Sequence, residues 1–364
     1  MSILQQATQC TLQPWQLPLQ LSPVSVHGSN KGLWIDPVTF IYLINGQQLA
    51  RWAIQTSRQL QFWALPKPAG PGAPERYRDE TVLLTSLVAA AWRLSYERIT
   101  AWLTRYDALA EVLGYHQFDG RGCRRTISLA QYARRLKTLG VLPYFLIFIA
   151  LVAALLKLGA IKGWDLIIDS SLLAAWYHQD PDAAWSWPSK RKGRVFGYKV
   201  HTIICRCSYL PLFFVVTPAN CNDGRLAIPM FAAVVLLYHV RILIVRADAA
   251  YFNYQFLGFI RTVLQAAPNV DYNPRRHGKR SLADLFFIRQ WRAVMGPRAN
   301  IERHFAWIKR YFGLKYFHVQ GYPAVTQFVF RVYIAALIVA PIATRCQRPD
   351  LATSRLKVLA FANI

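Results

Sequence analysis

Acidic residues are scarce in this chain. Aspartate and glutamate together number 18 among 364 residues, against 43 lysines and arginines, and the formal net charge at pH 7 is +25. Solubility alone does not require such an excess, so it indicates a polyanionic partner. Nucleic acid is the first candidate, and an anionic membrane surface is the second. Because acids are so rare, an acid at the end of an apolar segment is conspicuous.

Cysteine is also sparse, with 6 residues and no C-x-x-C pair. This spacing excludes a disulfide-dense scaffold and fits a reduced, cytosolic compartment. A zinc site built from His201, Cys205, Cys207 and Cys221 is the weaker interpretation. Three of these four residues alternate along an apparent strand, where packing explains them better than tetrahedral ligation does.

Long hydrophobic runs are absent. The two most apolar runs cover 145–156 and 333–343, whereas a transmembrane helix needs about 20 apolar residues. We therefore predict that both runs are buried core helices. No signal peptide is expected either, because the first basic residue is Lys31 and the first 25 residues are rich in Gln and Pro.

The chain divides into four predicted parts. Residues 1–79 show no clear period, end in a Pro- and Gly-rich linker and stay unassigned. Residues 80–160 predict five helices, which suit either a helix-turn-helix DNA-binding domain or a helical scaffold. Residues 161–345 predict an α/β fold, a mixed sheet flanked by helices. Residues 346–364 form a C-terminal tail.

Within the α/β part, the predicted order is three strands, then helix, strand, helix, strand and helix. Residues 194–207 and 209–219 have the spacing of a hairpin. Asp223 is expected to cap the helix that follows. The segment between 183 and 194 is interpreted as a loop.

Three acids stand out in the α/β part. Asp169 ends the apolar string LIID, and Asp248 ends LIVRAD. Ligands and chemistry gather at strand ends in α/β sheets. Glu302 lies on a predicted amphipathic helix, in one column with Arg298 and Lys309, which fall within about 60° of arc. Three such carboxylates would hold two Mg²⁺ or Mn²⁺ ions for phosphodiester chemistry.

Four other acids compete for this role, namely Asp165, Asp182, Asp223 and Asp271. Asp223 stands between Asn and Gly, which is turn chemistry. Trp185 and Trp187 could stack on a flipped base, although aromatic residues in an apolar chain mostly pack in the core.

Basic residues near the three acids are the predicted DNA contacts. Lys199 and His201 alternate on one strand, and a DNA-contact role at that strand competes with a structural one. The complete predicted set is Arg298, Lys309, Lys199, His201, Arg275, Arg276, Lys279, Arg280, Lys190, Arg191, Lys192 and Arg194.

The spacing around Glu302 resembles that of a known family. Arg298, Glu302 and Lys309 match the pattern Y-x2-R-x3-E-x6-K, in which Met295 replaces the tyrosine. LIIDSSLLAAW resembles the first-acid segment, VRADAAYFN the second, and YNPRRHGKR the basic segment after it. Together with KGRVFGYKVH, these motifs make most of 80–345 similar to bacterial insertion-sequence DDE transposases.

The resemblance implies an RNase H-like fold and DNA transposition. Asp169, Asp248 and Glu302 would bind the metal ions, and Arg298 and Lys309 would contact phosphates of the transposon ends. The partners implied are double-stranded terminal inverted repeats, target DNA and a second copy of the chain, in the bacterial cytoplasm at the nucleoid. Met295 leaves the route of second-strand cleavage open. The spacing of 54 positions from Asp248 to Glu302 implies a compact core without a β-rich insertion.

Two other functions remain open. The chain could be an inactive or domesticated DNA-binding protein, or another RNase H-like nuclease such as a resolvase. A protein of the membrane surface is the weakest interpretation, because it explains none of the acid positions.

Overall fold

The computed structural model describes residues 77–189, 193–271, 299–315, 317–345, 347–354 and 357. Several predicted features lie outside these residues. They are the segment 1–76, Met295, and the predicted DNA contacts Lys190, Arg191, Lys192, Arg275, Arg276, Lys279, Arg280 and Arg298.

The five helices predicted before residue 160 are confirmed. They are α1 (Asp79–Trp92), α2 (Tyr96–Arg105), α3 (Asp107–Val112), α4 (Leu129–Leu139) and α5 (Leu142–Lys157). Side-chain caps define two of their starts. Ser95 accepts a hydrogen bond from the backbone of Arg98 in α2, and Ser128 forms a capping box with Gln131 in α4.

A mixed sheet follows, as predicted. Its strands are β1 (Asp165–Ala174), β2 (Ala184–Ser189), β3 (Gly193–Cys205), β4 (Pro211–Pro218), β5 (Ile244–Ala247) and β6 (Ala267–Val270). The order is β2-β3-β1-β5-β6, and β4 also pairs with β3. β1 runs antiparallel to β3 and parallel to β5, which is parallel to β6. The hairpin expected at 194–219 is formed by β3 and β4.

Two strand predictions were wrong. The segment interpreted as a loop contains β2, an edge strand that pairs with the start of β3. The strand was not predicted because Pro188 lies within it, and proline argues against a strand except at the edge of a sheet. Asp169 also does not end its strand. Pairing with β3 carries β1 on to Ala174, whereas pairing with β5 stops at Ile168.

Helices cover both faces of the sheet. They are α6 (Gly224–Tyr238), α7 (Tyr254–Thr262), α8 (Ala299–Tyr311), α9 (Tyr322–Leu337) and α10 (Val339–Arg345), with 3-10 turns at Ala249–Tyr251 and Pro349–Leu351. Asp223 occupies the N-cap position of α6, but its side chain makes no capping hydrogen bond. The predicted cap was therefore wrong, because that carboxylate pairs with Lys199 instead.

Helix α9 lies at the centre of the molecule. It packs against α1 and α5 on one side and β4 on the other. The ring of Phe330 lies 5.7 Å from that of Phe148 in α5 and 4.4 Å from that of Phe214 in β4. Gln327 donates to the carbonyl oxygens of Leu136 and Gly140. One apolar core therefore joins the helices before residue 160 to the sheet. The boundary at 160 stays a prediction.

The two apolar runs lie in core helices, as expected. Residues Tyr322–Thr344 have the length and apolarity of a membrane span, but 94% of their most apolar stretch is buried inside the protein. The bent pair Leu129–Leu139 and Leu142–Lys157, with 71° between its helices, also has span-like composition. Residues on most sides of α5 are buried as well, so protein rather than lipid surrounds these apolar side chains.

Candidate active site

Asp169 and Asp248 occupy neighbouring positions on parallel strands. The last register pair of β1 and β5 is Ile168 with Ala247. Asp169 and Asp248 come next on each chain, and the backbone of Asp248 is still extended. Residues in register on parallel strands point to the same face, about 5 Å apart at the backbone. Two half-buried carboxylates thus lie side by side.

Helix α8 covers the face that carries Asp169. Ile301 and Phe305 of the helix form a small buried cluster with Ile167 of β1 and Ile204 of β3. Ile167 lies two residues before Asp169 and shares its face. Glu302 follows Ile301 and is exposed. The helix therefore brings the third predicted carboxylate to the same side of the sheet as the aspartates.

Lys309 is attached to the same strand. Its Nζ donates to Ser171 Oγ at 2.7 Å and to the carbonyl oxygen of Leu172 at 3.1 Å. Ser171 lies two residues beyond Asp169 and on the same face. A half-buried ammonium group is thus held next to the carboxylate pair, where it offsets part of their charge.

Local backbone bonds orient the two aspartates. Asp169 Oδ1 accepts from the backbone N–H of Ser170 at 2.7 Å, and Asp248 Oδ1 accepts from that of Ala249. The 3-10 turn after Asp248 buries Tyr251. Burial raises the pKa of the Tyr251 phenol well above its usual value, and the nearby Asp223, Asp169 and Asp248 act in the same direction. Tyr251 therefore stays protonated beside the acids.

Lys199 and His201 do not lie beside this pair. They stand opposite Leu172 and Ser170 of β1, whereas Thr202 stands opposite Asp169. Alternation along a strand therefore places Lys199 and His201 on the other face of the sheet.

Both side chains hold the start of α6 instead. Lys199 Nζ donates to Asp223 Oδ1 at 3.0 Å and to the Cys221 carbonyl oxygen at 2.8 Å. His201 Nδ1 lies 3.4 Å from Asp223 Oδ1, and its Nε2 hydrogen-bonds Thr217 Oγ1 at 3.0 Å. His201 is fully buried, and a phosphate contact requires exposure. We therefore replace the predicted DNA-contact role of both residues with a structural one.

The competing acids have different fates. Asp165 is buried at the start of β1, where Arg246 Nε donates to it at 2.7 Å and Arg206 at 3.0 Å. Asp182 accepts from the backbone of Tyr322. Asp271 is different, because it follows the register pair Ala247–Val270 of β5 and β6. It therefore stands in line with Asp248 and remains a rival to Glu302.

A divalent cation needs several oxygen ligands at once. Asp169 and Asp248 supply a donor set of hard carboxylate oxygens on one face, which suits Mg²⁺ or Mn²⁺. In the described residues, however, no group of three or more His, Cys, Asp or Glu side chains is close enough to hold one ion together. The register thus brings the two aspartates together, but within the described part of the chain Glu302 does not complete a three-acid group with them.

Arg194 is the remaining described residue among the predicted DNA contacts. It is exposed on β3, and its guanidinium lies 5.3 Å from the ring centre of Trp187. Trp185 and Trp187 are each 59% exposed, so the core packing expected for them was wrong. Sequence reasoning also missed Tyr251 and Ser171, although both lie within three residues of a predicted acid.

The fold and the site together define a class. A mixed sheet of this order is RNase H-like. Its acids lie just beyond the last paired residues of two parallel strands, under a helix that carries a glutamate, and this arrangement suits phosphodiester cleavage. Residues 162–338 match the transposase DDE domain family. This segment is therefore similar to a transposase DDE domain, a family that implies nuclease activity of the transposase type on DNA and the use of divalent metal ions. Comparison with curated proteins and with solved structures found no match.

Proposed function

We propose that this protein is the transposase of a bacterial insertion sequence. It would cut DNA at the ends of the element and join the freed 3′-hydroxyl groups to target DNA. The observation that supports this most is the register of Asp169 and Asp248, under a helix that carries Glu302 and Lys309. The family match supports the class, and the reaction steps are our inference.

Asp169, Asp248 and Glu302 would hold two Mg²⁺ or Mn²⁺ ions. When bound, such ions lower the pKa of an attacking water and stabilise the leaving oxygen. The chain's own part is to fix the ligands. The N–H groups of Ser170 and Ala249 orient one oxygen of each aspartate. Glu302 is exposed and can turn toward the pair through its side-chain torsions.

Lys309 and the basic residues would hold the DNA. Ser171 and Leu172 hold the Lys309 ammonium at the acid-bearing face, where it would meet a phosphate next to the cut. Arg194 and the basic residues outside the described part of the chain would add contacts to the backbone of terminal repeats and target. Two ends cut together require two active sites, so a homodimer on DNA in the bacterial cytoplasm is the expected assembly.

One observation favours an inactive DNA-binding protein as the alternative. Among the described residues, no three acids converge as a ligand group. Cleavage with a matched set of variants separates the two functions and also decides between Glu302 and Asp271.

The first experiment compares Mg²⁺-dependent cleavage of a duplex that carries the element's ends. Glu302→Gln removes the charge but keeps the size, and we expect cleavage to fall by at least about a hundredfold while end binding persists. Glu97→Gln, an exposed glutamate on α2, is the control and should cleave normally. Loss with Asp271→Asn but not with Glu302→Gln would assign the third ligand to Asp271. No cleavage by the unaltered protein would support the inactive alternative.

A further inference from the structure

Two exposed tryptophans lie on the edge strand β2 of the sheet. Trp185 and Trp187 in β2 are each 59% exposed, although tryptophan is usually well buried. The Trp185 ring lies 5.3 Å from that of Phe196, its cross-strand partner in β3. The Arg194 guanidinium covers the Trp187 ring at 5.3 Å. We name Trp185, Trp187 and Arg194 the tryptophan surface.

The structure assigns to this surface the stacking of unpaired DNA bases. The inference rests on the proposed function and deepens it, because it names the form of DNA that this part of the protein binds. Aromatic rings together with cations bind single strands, since each base offers a flat face and each phosphate a charge. In an intact duplex these faces are covered, so stacking selects a frayed or flipped base.

The charge around the surface favours nucleic acid over a second copy of the chain. No acidic residue occurs between Asp182 and Asp223, whereas 190–194 alone contains four lysines and arginines. A second copy that docked here would bring the same positive charge, which disfavours self-association. A polyanion is attracted instead.

The position of the surface agrees with this role. Phe196, the partner of Trp185, and Thr202, the partner of Asp169, are both even-numbered residues of β3 and so share one face. Six residues separate them, about 20 Å along an extended strand. This distance corresponds to about six bases at 3.4 Å each. A single strand of about that length leaving the cut would therefore span the distance to the tryptophans.

The test measures binding of labelled oligo(dT) and of a blunt duplex of equal length, in a chelator so that no cleavage occurs. We expect Trp185→Ala with Trp187→Ala to weaken oligo(dT) binding by about tenfold or more. Duplex affinity should change by less than about twofold. The Phe pair at the same positions keeps a ring and should restore most of the binding. Tyr254→Ala, at a tyrosine on α7 that is 69% exposed, is the matched control.

Three results would overturn the inference. Unchanged oligo(dT) binding by the alanine pair would do so, and so would an equal loss for duplex and single strand. A shift from dimer to monomer in sedimentation, with oligo(dT) binding retained, would make the surface an interface between copies. Circular dichroism checks that the alanine pair is folded. The binding assay contains no metal and does not depend on cleavage. Absent cleavage in the earlier experiment therefore refutes only the proposed function, whereas absent single-strand preference in the binding assay refutes only this inference.

Discussion

His201 is buried at the back of the acid-bearing strands, between Lys199 and Asp223. Burial lowers its pKa to about 4, Lys199 acts in the same direction, and Asp223 opposes them. An unfolded histidine has a pKa of about 6.5. As pH falls from 6.5 toward 4, the unfolded chain takes up a proton that the native state does not. His201 thus contributes stability that is complete above pH 6.5 and is lost on acidification.

We expect this group to account for about 2 kcal/mol of the stability lost between pH 7 and pH 5. His201→Gln keeps an amide for Thr217 but does not titrate, so its free energy of unfolding should fall less steeply over that range. Urea unfolding at both pH values measures the difference. The same change at exposed His116 is the control. Equal slopes for His201→Gln and the unaltered protein would contradict the prediction.

At this residue scale, sequence reasoning singled out Asp169 and Asp248 because apolar runs followed by an acid are rare here. It left a DNA contact and a structural role open for Lys199 and His201. Their alternation correctly placed both on one face. Which face it was depends on the register with β1 and on the helices packed outside, and no local pattern encodes either. Asp271 stayed ambiguous for the same reason, since only the pairing of β5 with β6 aligns it with Asp248.

At the scale of elements, the attachment of α8 to the sheet decides where Glu302 and Lys309 lie. Among the described residues, a small buried cluster of Ile167, Ile204, Ile301 and Phe305 packs the first part of α8 on the sheet. Sequence periodicity predicted the helix well, because apolar residues recur at helical spacing. The edge strand β2 was missed because it is only six residues long and contains a proline.

Phe305→Ala tests that attachment. It removes the largest side chain of the cluster, and we expect a loss of about 3 kcal/mol in the free energy of unfolding. The cleavage rate should also fall in samples that remain folded, because the helix that carries Glu302 is held less firmly. This fall should exceed the one expected from the unfolded fraction alone. Phe305→Leu, which keeps much of the volume, should cost less than about 1.5 kcal/mol. Denaturant unfolding and cleavage rates measured on the same samples check both values. Full activity in the alanine variant would show that other contacts position α8.

At the scale of the whole molecule, the family match begins at residue 162, but the packing does not. α9 is buried between α1 and α5, which precede residue 162, and the sheet, which follows it. Buried Arg331 of α9 donates to the Tyr96 hydroxyl in α2 at 3.1 Å and lies 5.4 Å from its ring centre. The sequence predicted a boundary at 160, because the predicted secondary structure changes there from helices to strands. Tertiary contacts across that point cannot be inferred from such a change.

We therefore predict that a chain lacking residues 1–160 does not fold by itself. Its α9 would expose the apolar side chains that contact α1 and α5, including Phe330, which packs on Phe148. Such a fragment should bind hydrophobic dyes and unfold without a cooperative transition, whereas the complete chain should unfold cooperatively. A chain lacking only residues 1–64, cut before the Pro- and Gly-rich linker, is the control for truncation itself. Cooperative melting of the shorter fragment near the temperature of the complete chain would instead establish an independent domain after residue 160. In that case the helices before 160 would be free to act as a separate DNA-binding unit.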